Sequence, residues 1–165
     1  AGPKETFAFI RFARAIIVTT AMNDPVLGTL VVDPHLSGCF VVSVPFDGRA
    51  IELRLDPNGA DMEACLILAR EVVASLMELE SKAAAVAAAH LITEYNQSWR
   101  HFSRSQSGRS MDEVTNLELN ERELARRLTL VSLLVSLDID GSMVEFCFGD
   151  DGLFAGHSIF VISFD

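Results

Sequence analysis

The sequence predicts an α+β domain: a mainly antiparallel sheet built from two Asp-Gly hairpins and a last strand, with a central helical pair packed on one face. Three observations predict it. Asp47-Gly48 and Asp140-Gly141 each sit between segments of alternating apolar residues, the pattern of a tight hairpin whose central residues tolerate positive φ. Between these turns lies an alanine-rich stretch whose apolar positions recur at helical spacing. Strands, then helices, then strands follow one another without βαβ alternation.

Each element has a local reason. Phe9, Ala13, Ile16 and Ile17 share a helical face, which predicts a short helix over Phe7 to Ile17, broken by Asn23-Asp24-Pro25. From Leu27 the period turns strand-like, and Leu30-Val31-Val32 ends at Asp33-Pro34. Folding at Asp47-Gly48 sets Val44 against Ile51, Val42 against Leu53 and Phe40 against Leu55. A slip of one residue would bury Glu52 and Arg54, so this register is well specified. Asp56-Pro57-Asn58-Gly59 stops the strand, and Asp61 is the expected cap of a helix from Met62 to Leu79. Its inward positions are Cys65, Ala69, Val72, Val73 and Leu76. A second stripe, Ala84, Ala88, Leu91, Ile92, Tyr95 and Trp99, predicts a further helix, with the joint at Glu78 to Ser81. Phe102 to Ser110 reads as a polar loop, and Asn120 with Glu123 forms a capping box. In the second hairpin Val131, Leu133, Val135, Leu137 and Ile139 share a face, and folding at Asp140-Gly141 pairs Leu137 with Val144, Val135 with Phe146 and Leu133 with Phe148. Ser158 to Phe164 is the last strand.

The length of 165 residues favours one domain, placed at 25–165, with 1–24 as an N-terminal helix or extension. Thirteen Lys and Arg against 23 Asp and Glu give a formal charge of −10, the wrong sign for binding a phosphate backbone, so nucleic acid is excluded as a partner. Cys39, Cys65 and Cys147 are far apart in apolar surroundings, which indicates reduced, buried thiols rather than disulfides or a zinc knuckle. No apolar run reaches the ~18–20 residues of a membrane span, and no signal peptide is recognisable, so the expected location is cytoplasmic without membrane association.

The motifs of common enzymes are missing: no phosphate-binding glycine loop after a strand, no Gly-x-Ser-x-Gly, no His-Glu-x-x-His. His157 is the catalytic candidate, because Asp150 or Asp151 can hold its imidazole as a general base. The alternative is a ring bonded to backbone at the strand entrance. A ligand site around it would draw on Asn96, Trp99, Gly156 and His157, with Arg104 and Arg109 from a small basic island as anion contacts. Asn96 also reads as a C-terminal polar cap and Trp99 as a core anchor. His90 and Glu94, one helical turn apart, give two ligands of a metal site without a third. His101 lies roughly 16 Å farther along the helix, too far to share an ion with His90. His35 reads as a loop residue. No cofactor is indicated.

The Asp-Gly hairpin before an alanine-rich helical pair, Asn96-x-x-Trp99, and Leu153-Phe154-Ala155-Gly156-His157-Ser158-Ile159 occur together here. In this combination, from about Leu27 to Phe164, the chain resembles the bacterial family called domain of unknown function 2262 (DUF2262). Ala155 stands where an aromatic is expected, and the sequence ends at Asp165 where such proteins continue briefly with a Gly-containing strand. The resemblance implies a bacterial, single-domain, cytosolic protein and carries no activity with it. The residues favour a non-catalytic binding module acting through a protein partner, with an immunity-like role toward a basic partner as one form; a separate possibility is a homo-oligomer that covers an exposed apolar sheet face or edge. The alternative is a small enzyme or ligand-binding protein with its pocket between the Gly156-His157 loop and the Asn96-Trp99 helix end.

Overall fold

A computed structural model describes residues 21–101, 117–138 and 141–164. The predicted N-terminal helix, the polar loop from Phe102 with Arg104 and Arg109, and Asp140 lie outside the described residues. The fold is α+β. Its strands are β1 (Ala21–Asp24), β2 (Gly28–Val32), β3 (Phe40–Phe46), β4 (Arg49–Asp56), β5 (Thr129–Asp138), β6 (Gly141–Gly149) and β7 (Ile159–Phe164). Its helices are α1 (Met62–Ala74), α2 (Leu76–Glu94), a wide π-helical turn (Tyr95–Trp99) and α3 (Glu121–Arg127). The seven strands form one sheet in sequence order. Every neighbouring pair is antiparallel except β4 and β5, which run parallel. One βαβ crossover therefore exists where none was expected, and all the described helices lie within it.

At the first turn Asp47 and Gly48 take φ of 47° and 72°, and Phe46 pairs with Arg49, Val44 with Ile51, Val42 with Leu53 and Phe40 with Leu55. Positive φ at both central residues matches the twist of the flanking strands. The second hairpin departs from its expected register. Pairing closes at Asp138 and Gly141, which sets Leu137 opposite Ser142, Val135 opposite Val144 and Leu133 opposite Phe146. The shift is even, so each side chain keeps its face. A bulge between Leu130 and Ser132 then turns Leu130 inward onto Phe148 and leaves Val131 exposed. Simple alternation placed Val131 in the core; an extra residue in the strand reverses that.

Two helices follow β4, and the break falls at Ser75 rather than at Glu78 to Ser81. Ser75 sits at φ −106°, ψ 11°, and its amide donates to carbonyls of Glu71 and Val72. Cys65, Leu66, Ala69, Val72, Leu76, Ala83, Ala84 and Ala87 pack on alternate residues of the central strands, including Leu53, Leu55, Leu133, Val135 and Phe148. The alanines let α2 lie close to the sheet. Residues 21–24, assigned by sequence to the extension, form the outer strand β1. Cys39 and Cys65 are buried, whereas Cys147 is half-buried on β6. Burial pushes the Cys65 thiol up to about 11.

β1 and the first helix are tied by one buried carboxylate. Asp24 Oδ1 accepts the amides of Val26 and Leu27 at 2.9 and 2.8 Å, while Oδ2 accepts from Arg70 Nε and Nη2 at 3.0 and 2.6 Å. The Arg70 bond, opposed by burial and assisted by the two amides, holds the Asp24 carboxyl down at about 2. Asp24→Asn is expected to cost about 3 kcal/mol, because Arg70 loses its buried partner and keeps only exposed Glu63, and the buried turn loses its charge. The wild-type contribution is full above the ordinary carboxylate range and is lost as pH falls from about 4 toward about 2, since the folded pKa is the lower one. Urea unfolding of both chains from pH 7 to pH 2 checks this: the gap between them must close across that acid range.

Candidate functional site

The loop from Asp150 to Ser158 joins β6 to β7 and packs on the π-helical turn. Asp150 is buried, and its carboxylate organises the loop: Oδ1 accepts Gly152 N at 2.9 Å, and Oδ2 accepts Phe154 N at 2.6 Å and Gly156 N at 3.2 Å. Three residues of the loop are left-handed besides Gly156: Asp151 at 48°, Gly152 at 77° and Ala155 at 57°. Such a tight path leaves the Asp150 oxygens as the acceptors for amides that no strand can pair. Leu153 and Phe154 are thereby driven into a small second core with Ala88, Tyr95 and Leu124.

Asn96 and Trp99 both fall on the π-helical turn, where Arg100 N reaches back to the Tyr95 carbonyl. Asn96 is a clamp rather than a helix cap. Its Nδ2 donates to Leu119 O at 2.8 Å and its Oδ1 accepts Leu119 N at 3.1 Å, which fixes the chain just before α3. Trp99 meets Phe154 and His157 edge-on at centroid distances of 5.8 and 5.6 Å, and its Nε1 donates to Glu94 at 3.1 Å. The loop and the helix end that the sequence singled out are thus in contact.

The catalytic arrangement within that cluster differs from expectation. Asp150 spends its oxygens on backbone, and Asp151 faces Arg127 at 2.8 Å. Neither holds the imidazole of His157, which is exposed with its backbone amide on Phe154 O and its ring against Trp99. Among the described residues no carboxylate is hydrogen-bonded to the His157 imidazole. Glu94 is engaged by Trp99, leaving His90 exposed one turn away. Among the described residues no group of three or more His, Cys, Asp or Glu comes together as a metal site.

A cavity of about 890 Å³ lies elsewhere, between the β3–β4 turn, α2 and α3, and none of the sequence candidates among the described residues lines it. Its charged residues come from three distant segments, which gave the sequence no local signal.

Comparison with family models settles the lineage. Residues 24–163 match the model of an uncharacterized protein family conserved in bacteria, DUF2262. The chain belongs to that family. No curated protein and no solved structure matches it. The DUF2262 match spans every described strand and helix except the first three residues of β1 and the end of β7, so the Asp150 loop and the π-helical turn both belong to the shared unit. No described helix is long and apolar enough to cross a membrane.

Removing the Asp150 carboxylate should release the whole loop. Asp150→Ala is expected to lower stability by about 3 kcal/mol, the loss of charge-assisted bonds to three amides. Trp99 is the single tryptophan and touches Phe154, so its fluorescence should shift before global unfolding in this variant and coincide with it in the wild type.

Proposed function

We propose that this DUF2262 protein is a non-catalytic interaction module that acts through a protein partner seated on β7, and that this partner is a second copy of the chain. One observation carries the reading. Phe160, Ile162 and Phe164 project from β7, the outer strand among the described residues, at 56, 45 and 72% exposure, on the side away from the helices. The strand reads Ile-Phe-Val-Ile-Ser-Phe, without the Lys, Pro or charge that usually protects an edge.

The pattern is self-complementary. Phe160-x-Ile162-x-Phe164 reads the same in both directions, so an antiparallel pairing centred on Ile162 sets Ile162 against its copy and each Phe160 against a Phe164. An uncharged strand also lets two acidic chains meet without opposed carboxylates. The exposed parts of the two rings amount to on the order of 250 Å² per chain, which points to a weak, concentration-dependent dimer beside the 1,200–2,000 Å² of stable interfaces. The geometry at His157 supports catalysis less, because its acidic neighbours are engaged elsewhere.

A second reading rests on the charge of −10: an acidic surface meeting a basic partner, as immunity proteins meet nuclease toxins. Salt separates the two, since acid–base contact weakens with ionic strength while apolar strand pairing does not.

Light scattering across a concentration series tests the proposal. The wild type should pass from monomer to dimer in the micromolar range, unchanged by salt. Ile162→Lys, a residue that edge strands accept readily, should stay monomeric with an unaltered melting temperature. A wild type that is monomeric throughout overturns the second copy as occupant of β7.

A further inference from the structure

Among the described residues, Arg54, Arg70, Lys82, Arg100 and Arg127 each meet a carboxylate within 4.0 Å. Arg49, Arg122 and Arg126 meet none there, although the chain holds ten more acidic than basic residues. All three line the same cavity, of about 890 Å³.

Their convergence follows from the fold. Arg49 opens β4 beside the Asp47-Gly48 turn, lies over the Phe46 ring at 5.6 Å and donates to the Leu130 carbonyl. Arg122 and Arg126 are four residues apart on α3, hence on one face. The capping box of Asn120 and Glu123 starts that helix, and fully buried Leu124 sets its rotation, so both arginines emerge beside the groove. Glu80 enters from α2, half-buried, and burial with Asp47 nearby pushes its carboxyl up against the opposing pull of Arg49. Asp47 and Glu121 also line the cavity, yet neither they nor Glu80 close an ion pair with the three arginines. Phe46, Met77 and the alanines of α2 give the remaining wall an apolar character.

We infer that this groove binds a small molecule with an oxyanion head and an apolar body, the head taken by Arg122 and Arg126 and the body by Phe46 and Met77. Two guanidiniums on one helix face present planar forks matched to carboxylate or phosphate oxygens. The volume lies within the range of small-molecule sites. Arg49, already fixed by a carbonyl and a ring, adds positive potential to the same cavity. No residue of β7 or of the His157 loop lines this cavity.

Calorimetry with phenyl phosphate and benzoate, two probes that share a ring and differ in the oxyanion, tests the inference on the whole chain. At least one should bind at millimolar concentration or tighter, and the tighter one identifies the head group. Arg122→Ala with Arg126→Ala should weaken that probe by about tenfold or more, and the paired lysine variant should fall between. Both arginines are exposed, so the melting temperature without probe should not move. Absence of binding by both probes overturns the inference, as does equal affinity in the double-alanine chain.

Discussion

The parallel pairing of β4 with β5 is the constraint from which the rest of the molecule follows. Antiparallel neighbours can be joined by two residues, whereas a parallel neighbour requires the chain to travel back along the sheet. This chain makes that return with α1, α2, the π-helical turn and α3. The two strands so joined are the best covered: Leu53, Leu55 and Val135 are fully buried and Leu133 nearly so. Any path that uncovered them would expose the centre of the core. The alanines of α2 serve this constraint, since larger side chains would lift the helix from the strands it must cover.

Buried aspartates fasten the turns around that centre. Asp24, Asp33 and Asp150 are each about 5% exposed, and each accepts backbone amides two or more residues ahead. Asp24 and Asp33 also reach Arg70 and Arg54 on neighbouring elements. Part of the acidic surplus is therefore structural, spent on amides that no strand partner can take. Net charge by itself overstates how much negative surface remains for a partner.

The surfaces around this core differ in chemistry. The helix-covered face of the sheet is core, while the other face ends in the uncharged, aromatic β7. The end of the helical layer holds a groove lined by three arginines that meet no carboxylate among the described residues. The Asp150 loop contributes no residue to either, and the contacts of its Phe154 and His157 with Tyr95 and Trp99 lock the crossover to the last hairpin.

Much of this was legible in the sequence because the signals were local. The Asp47-Gly48 hairpin follows from two residues that tolerate positive φ and from alternation on either side. The capping box at Asn120 and Glu123 follows from a spacing of three. The contact between the Leu153 to Ile159 loop and the Asn96-Trp99 turn was also anticipated, though not the roles within it. The errors arose where a distant partner decides. The bulge at Leu130 and Ser132 depends on what lies opposite, so alternation alone misplaced Val131. Whether Asp150 orients a histidine or fastens a loop depends on which amides the fold leaves unpaired. The groove of Arg49, Arg122 and Arg126 has no sequence signature, because arginines this far apart in the chain line one cavity only when the crossover sets α3 beside the first hairpin. Sequence by itself determined the pieces and their faces, through period and turn chemistry; tertiary structure decided their company, because register, parallel pairing and shared cavities are properties of two segments at once.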